Sequence, residues 1–97
     1  MAEIVVMPKL ELTMEEGVIV QWNKKVGDSI KKEEILCSIE TEKSVMEMES
    51  PSSGILLKIW GKVGERYPVT TPIAIIGEEN EDIEALIAKV EGALSGK

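Results

Sequence analysis

The sequence predicts an all-β domain: a flattened barrel or sandwich of two four-stranded antiparallel sheets with internal pseudo-twofold symmetry. Three observations predict it. Short apolar runs of strand length recur along the chain, bounded by Gly, Pro or charged residues. The runs fall into two sets of four. The two sets match each other position by position, with a short polar interruption between them.

The first set begins with Glu3-Ile4-Val5-Val6-Met7-Pro8, a strand stopped by proline. Residues 9–16 are polar and mixed and read as a loop. Gly17 opens Val18-Ile19-Val20-Gln21-Trp22, the second strand, and Lys24 to Asp28 form a turn. A short third strand lies at Ser29-Ile30 and the fourth runs from Ile35 to Thr41. After Lys43 the order recurs. Val45 to Ser50 is a strand stopped by Pro51, and Gly54 opens Ile55 to Trp60. Gly61 to Glu65 is a turn, Arg66-Tyr67 a short strand, and Ile73 to Ile76 the last.

An offset of 37 residues pairs Gly17 with Gly54, Lys25 with Lys62, Val26-Gly27-Asp28 with Val63-Gly64-Glu65, and Ile39 with Ile76. Upstream the offset is 43, pairing Pro8 with Pro51, so the loop before Gly17 carries a six-residue insertion. Each copy alone would leave an apolar face wet; together they cover one another. Alternation places Val18, Val20 and Trp22 on one face, with Ile55, Leu57 and Ile59 as their counterparts, and these are the expected core residues. Trp22 is then expected to be more buried than Trp60, and Cys37 to point inward as an inert thiol.

Composition narrows the function. A chain of 97 residues is one domain. Phe is absent, so Val, Ile, Leu and Met must build the core. A net charge of −7 argues against nucleic acid and against an anionic membrane surface as partners. The start of the chain lacks the pattern of a signal peptide and Cys37 has no internal partner, which together point to a cytoplasmic protein. With no histidine, the common catalytic triads and zinc sites cannot be assembled. The acidic residues lack calcium-loop spacing and the glycines do not form a phosphate loop. No catalytic residue and no metal ligand is therefore assigned, and the domain is expected to be non-catalytic and monomeric.

The symmetry singles out one lysine. The two copies meet at Glu40-Thr41-Glu42-Lys43-Ser44, while the equivalent place at the other end holds the chain termini. Lys43 is thus expected at the end farthest from where the chain enters and leaves. The first strand runs toward that end, so the loop Leu10-Glu11-Leu12-Thr13-Met14-Glu15-Glu16 is expected beside it. A presented side chain next to a recognition surface is one reading; a solvated lysine on a charged turn is the other.

From Glu78 on, six carboxylates face two lysines. Residues 80–97 are expected to be an acidic linker with a frayed helix, the alternative being a packed helix. Asn80 is the candidate N-cap for Ile83, Leu86, Ile87, Val90 and Leu94 at helical spacing.

Glu40-Thr41-Glu42-Lys43-Ser44, followed by Glu47 and Ser50-Pro51-Ser52-Ser53-Gly54, resembles the lipoyl-attachment motif of dihydrolipoyl acyltransferases of 2-oxo acid dehydrogenase complexes. Met7-Pro8-Lys9-Leu10, Glu16-Gly17, Trp22 and Val26-Gly27-Asp28 extend the likeness over residues 1–79. Glu42 stands where Asp is commoner, and Ser44 where Ala is commoner. The resemblance implies lipoate joined to Lys43 by an amide, attached by a lipoate ligase or lipoyl transferase. It implies three further partners: a thiamin-diphosphate-dependent 2-oxo acid decarboxylase, an acyltransferase catalytic domain that uses coenzyme A, and dihydrolipoyl dehydrogenase. Glu40, Thr41, Glu42 and Ser44 would serve recognition of the hairpin, and Leu10 to Glu16 recognition by the loop. A biotinyl carrier domain, a glycine-cleavage lipoyl carrier and a structural β-sandwich binding module are the alternatives. The biotinyl motif sets its lysine between two methionines, whereas here Met46 and Met48 flank Glu47.

Overall fold

In the computed structural model, which describes residues 1–95, the strands are β1 (Glu3–Val6), β2 (Glu16–Trp22), β3 (Ser29–Ile30), β4 (Ile35–Glu40), β5 (Val45–Glu49), β6 (Gly54–Ile59), β7 (Arg66–Pro68) and β8 (Pro72–Gly77). A helix, α1 (Glu84–Ser95), follows. All strand pairings are antiparallel, in two four-stranded sheets ordered β1-β8-β6-β3 and β5-β4-β2-β7. The molecule is flat, 38 × 33 × 21 Å. The expected pair of sheets is present, but neither sheet is one copy of the repeat. Each contains two strands from each half, so the halves interleave. The cause lies in two tight turns, Lys25–Asp28 and Lys62–Glu65. In each the fourth residue's N–H donates to the first residue's carbonyl, at 2.9 and 3.1 Å. Gly27 and Gly64 sit at the third position with φ of +100° and +89°, a conformation that a Cβ would penalise. The turns carry β3 and β7 across to the opposite half.

The symmetry extends to single hydrogen bonds. Gly27 N–H donates to Leu56 O at 2.8 Å, and Gly64 N–H donates to Ile19 O at 2.7 Å. Leu56 N–H in turn donates to Asp28 O, and Ile19 N–H to Glu65 O. Each half's turn is thereby clasped to the other half's central strand. Both central strands carry a register shift at this clasp, between Ile19 and Gln21 and between Leu56 and Lys58.

That bulge overturns the expected inward face. Ile19 and Leu56 are fully buried, Val20 is 39% exposed and Leu57 is half-buried. An extra residue in a strand resets the alternation, so strict period-two counting through β2 and β6 selects the wrong side. The core comprises Val5, Met7, Ile19, Ile30, Leu36, Cys37, Ile39, Leu56, Ile73, Ala74 and Ile76, with Met14 and Met48 at its margin. Trp22 is half-buried against it and donates Nε1–H to Gly61 O at 2.8 Å. Trp60 is half-buried as well, away from the central cluster, and donates Nε1–H to the Glu91 carboxylate at 2.9 Å. Cys37 points inward as expected, and burial pushes its thiol pKa up to about 12.

The described part of the tail is helical and docked. Glu81 N–H donates to Glu78 O at 3.0 Å across a turn that places Asn80 at φ +64°. The Glu81 carboxylate accepts N–H bonds from Glu78 and Ala2, tying the turn to the chain start. The cap is Asp82 rather than Asn80: its Oδ1 accepts the Glu84 N–H at 3.0 Å. Asn80 is used instead for its tolerance of positive φ. Val90 is 3% exposed. Ile75 and Val90 are the two buried apolar residues that stand outside the central cluster. Ile75 alternates away from Ala74 and Ile76, so it lies on the outer face of its sheet; its full burial, that of Val90 and the Trp60–Glu91 bond together argue that α1 covers that face. Its counterpart in the first half is Ser38; the counterpart of Ile4, beside it on β1, is Glu47. The two outer faces therefore differ in sequence, one polar and open, the other apolar and covered. Gly96 and Lys97 lie outside the described residues.

Candidate functional site

Glu40 pairs with Val45 at the end of the β4–β5 ladder, leaving Thr41 to Ser44 as the turn. Two-residue hairpin turns commonly need positive φ at their centre. Neither Glu42 nor Lys43 has it, as befits residues that carry a Cβ and long side chains. Thr41 closes the turn by another route. Its N–H donates to Ser44 O at 2.8 Å and its hydroxyl donates to the same oxygen at 3.1 Å. The same Oγ1 accepts the N–H groups of Lys43 and Ser44, at 3.2 and 3.3 Å. Thr41, expected as a recognition residue, is 9% exposed and is the internal brace of the turn. Glu42, Lys43 and Ser44 are exposed, and the Lys43 ammonium has neither an ion pair nor a hydrogen-bond partner among the described residues.

The inserted loop lies beside this turn. Its ends are fastened: Met7 N–H to Thr71 O at 2.8 Å, Thr70 N–H to Met7 O at 2.9 Å, and Val69 N–H to Glu15 O at 2.9 Å. Inside it, Met14 N–H donates to Glu11 O at 3.1 Å, and Leu10 N–H reaches Met14 Sδ at 3.2 Å. Met14 is buried, with its methyl over Gly17, where an added Cβ would meet Met14 Cε at 2.9 Å and Ile39 Cγ2 at 2.7 Å. Leu10 packs against the core margin. So Leu10 and Met14 hold the loop, while Leu12, Thr13, Glu15 and Glu16 are on its exposed side and Glu11 is half-buried.

Loop and hairpin together line one concavity. Its carboxylates are Glu11, Glu15, Glu16, Glu40 and Glu42; Arg66 is its cation, 3.0 Å from Glu16. Arg66 and Val18 were not among the sequence-derived candidates. Arg66 arrives from the second half because β7 joins β2, with Arg66 opposite Val18. The traceable signal is a break in the repeat, since the counterpart of Arg66 is Ser29.

The twofold-related place at the other end is lined by Met1, Ser29, Ser52, Ile55 and Gly77 to Glu79. There the N-terminal ammonium sits 3.1 Å from Glu78 where the first half has its closed turn. Lys43 is thus at the end opposite Met1 and Gly77, as the symmetry requires. The chain does not leave from that far end, however: α1 runs back along the sheet, and Glu91 reaches Trp60 at the other end of β6. Among the described residues there is no group of three or more side chains suited to a metal ion. What the geometry offers is an accessible amine on a braced turn, available for acylation at Nζ.

Residues 3–76 match the Biotin_lipoyl family model, described as "Biotin-requiring enzyme". The chain belongs to this family. The Biotin_lipoyl chain is 48% identical over 84 residues to the dihydrolipoyllysine-residue acetyltransferase component of the acetoin cleaving system of Bacillus subtilis (strain 168). That match covers 87% of this chain and 21% of the relative. It is 43% identical over 89 residues to the dihydrolipoyllysine-residue acetyltransferase component of the pyruvate dehydrogenase complex of Rickettsia typhi, covering 88% of this chain and 22% of the relative. The fold is similar to the solved lipoyl domain of the 2-oxoglutarate dehydrogenase complex of Azotobacter vinelandii. The TM-score there is 0.64 at 26% identity, over 78% of this chain and 98% of that one. This Biotin_lipoyl chain is a carrier domain of the lipoyl type, as in acyltransferase components, and it spans about a fifth of the length of the curated relatives it matches.

Proposed function

We propose that Lys43 carries lipoate in amide linkage and that the domain presents it, in turn, to the enzymes of a 2-oxo acid dehydrogenase complex. The observation that carries this is the Lys43 amine itself: exposed, without a partner among the described residues, and set on a turn whose backbone Thr41 braces through four hydrogen bonds. The relatives' names, dihydrolipoyllysine-residue acetyltransferases, favour lipoate over biotin. So does the local chemistry. Met46 and Met48 do not bracket the lysine; Met48 is packed inward opposite Cys37 and Met46 is half-buried opposite Ile39.

Lipoate supplies a reducible disulfide that can accept an acyl group. The chain's own residues do the rest. The turn holds Lys43 in fixed register, so that a lipoate ligase or lipoyl transferase meets the same geometry each time. Acylation of Nζ removes the ammonium charge and leaves the acidic groups around it dominant. Glu40 and Glu42 flank the site with carboxylates, and Ser44 fixes the turn through its carbonyl. Tethering then raises the local concentration of the carried group at each partner: a thiamin-diphosphate-dependent decarboxylase, a coenzyme A-dependent acyltransferase domain and dihydrolipoyl dehydrogenase.

The test is intact-mass measurement after incubation with a lipoate ligase, lipoate and ATP. One lipoyl increment is expected on the wild type and none on Lys43→Ala. Moving the amine by the pair Lys43→Ser and Ser44→Lys should sharply cut the rate, since the turn's backbone bonds are kept while the amine stands one residue off its place on the braced turn. A wild type that gains no mass from an active ligase, or that gains a biotin-sized increment from a biotin ligase, refutes the reading.

A further inference from the structure

We infer that α1 is a reversible strap. Docked, it brings the chain back to the Lys43 end of the domain; released, it lets the chain leave from the opposite end. The strap thereby sets which way the amine faces relative to any chain beyond Ser95. It needs no group on Lys43 and so stands apart from the carrier reading.

The seat for the strap is absent from the other half of the repeat. Ile4, Ile75 and Lys58 stand abreast on the outer face of β1, β8 and β6, and Ile75 is fully buried there. At the head of the seat Trp60 Nε1–H donates to Glu91 at 2.9 Å, and Lys58 Nζ lies 5.8 Å from the centre of the indole. The counterparts of Ile4, Ile75, Lys58 and Trp60 are Glu47, Ser38, Gln21 and Asn23. One outer face has the apolar surface and the indole that hold a helix, and its twofold mate has neither.

Direction follows from the strand order. β8 ends at Gly77, beside Met1 and Gly54, at the end opposite Lys43. The turn from Glu78 to Glu81 then sends the chain back. With 12 residues α1 is about 18 Å long, close to the ~20 Å of the six residues of β6. Trp60, which α1 reaches, donates its backbone N–H to Ile73 O near the start of β8. Just before β8, Thr70 and Thr71 bond to Met7, where the inserted loop begins beside the hairpin.

The strap is built to let go. A helix this short is marginal in isolation, so it forms by docking. Gly92 lowers its helix propensity, and its last turn has no basic residue to meet the helix dipole. Of its apolar side chains Val90 alone is buried; Ile83, Leu86 and Ile87 are half-buried. The central cluster includes no residue of α1, so the two sheets pack without it. Opening of α1 therefore costs less than opening of the sheets.

The test is nuclear magnetic resonance on the unmodified 97-residue chain. Cys37 is buried, so a cysteine appended after Lys97 takes a nitroxide label alone. In the wild type the label should broaden amide signals at Gly61, Thr70 and Thr71 and spare Ser52 to Gly54. Amides of α1 should exchange with solvent at least tenfold faster than those of β8, as one unit. Gly92→Ala, where an added Cβ meets nothing within 4 Å, should slow exchange in α1 about fivefold and leave β8 unchanged. Val90→Asp should abolish the broadening at Thr70 and Thr71 while the β8 amides stay protected. Broadening of Ser52 to Gly54 in the wild type overturns the returning chain. Equal exchange in α1 and β8, or loss of β8 protection in Val90→Asp, makes α1 part of the core and overturns the release. A Val90→Asp chain with the wild-type broadening overturns the seat. Each of these results leaves the carrier reading of Lys43 untouched, because no group is attached.

Discussion

Thr41 Oγ1 accepts the backbone N–H of Lys43 at 3.2 Å, so the residue that presents the amine is positioned by a side chain two places before it. The same oxygen also serves Ser44, and the threonine is nearly closed to solvent. Presentation of Lys43 is thus a property of the turn's interior and not of its charged surface.

Replacing that oxygen tests the relationship. Thr41→Val keeps the shape and removes the acceptor, leaving two N–H groups without their partner. The expected loss is about 1–2 kcal/mol in urea unfolding. Lipoylation should slow in parallel, whereas Thr41→Ser should retain both properties. A Thr41→Val variant as stable and as readily modified as the wild type would falsify the brace.

The interleaved core makes a second prediction. Ile19→Ala and Leu56→Ala should each cost about 2–5 kcal/mol, because both side chains are fully buried at the crossing clasp of the two halves. Val20→Ala, at the neighbouring exposed position, should cost well under 1 kcal/mol. Denaturant midpoints for the three variants measure the difference. A larger loss at Val20 than at Ile19 would restore the strict alternation that the bulge breaks.

Cys37 provides a pH signature. Its thiol is raised to about 12 in the folded chain, against about 8.5 when unfolded. Between those values the unfolded state has released the proton and the native state has kept it. The contribution is therefore full below about pH 8.5 and is lost as pH rises toward about 12, at ~1.4 kcal/mol per pH unit. Cys37→Ala, which installs the residue found at the counterpart Ala74, should remove this component of the alkaline fall in stability. The native thiol should also resist alkylation at pH 8 and react on unfolding. Rapid alkylation of the folded chain would contradict its burial.

The helix gives the fourth. Truncation after Glu81 should expose Ile75 and free the Trp60 indole from Glu91. The expected readouts are a red-shifted tryptophan emission and an unfolding free energy lower by ~1–3 kcal/mol for the apolar area uncovered. Trp60→Phe should leave the emission of the truncated and full chains alike. Identical stability of the two lengths would mean that α1 does not cover the sheet.

Much of this was legible in the residues alone, for identifiable reasons. The offsets of 37 and 43 are carried by glycines, prolines and the Val-Gly-acid turns, residue types whose backbone needs are local, so the strand order and the place of Lys43 could be read without coordinates. The six-residue insertion was equally plain, and its position beside the hairpin followed from symmetry. Three things were decided only by the folded chain. Which residues of β2 and β6 face inward depended on a bulge set by hydrogen bonds from the opposite half. The assignment of Thr41 and Met14 to the interior depended on contacts that a polar or loop setting does not announce. The fate of the tail depended on whether a sheet face elsewhere was apolar enough to hold a helix that is marginal by itself. Local conformational preference is written in single residues, but burial belongs to pairs of segments distant in sequence, and only their meeting in space settles it.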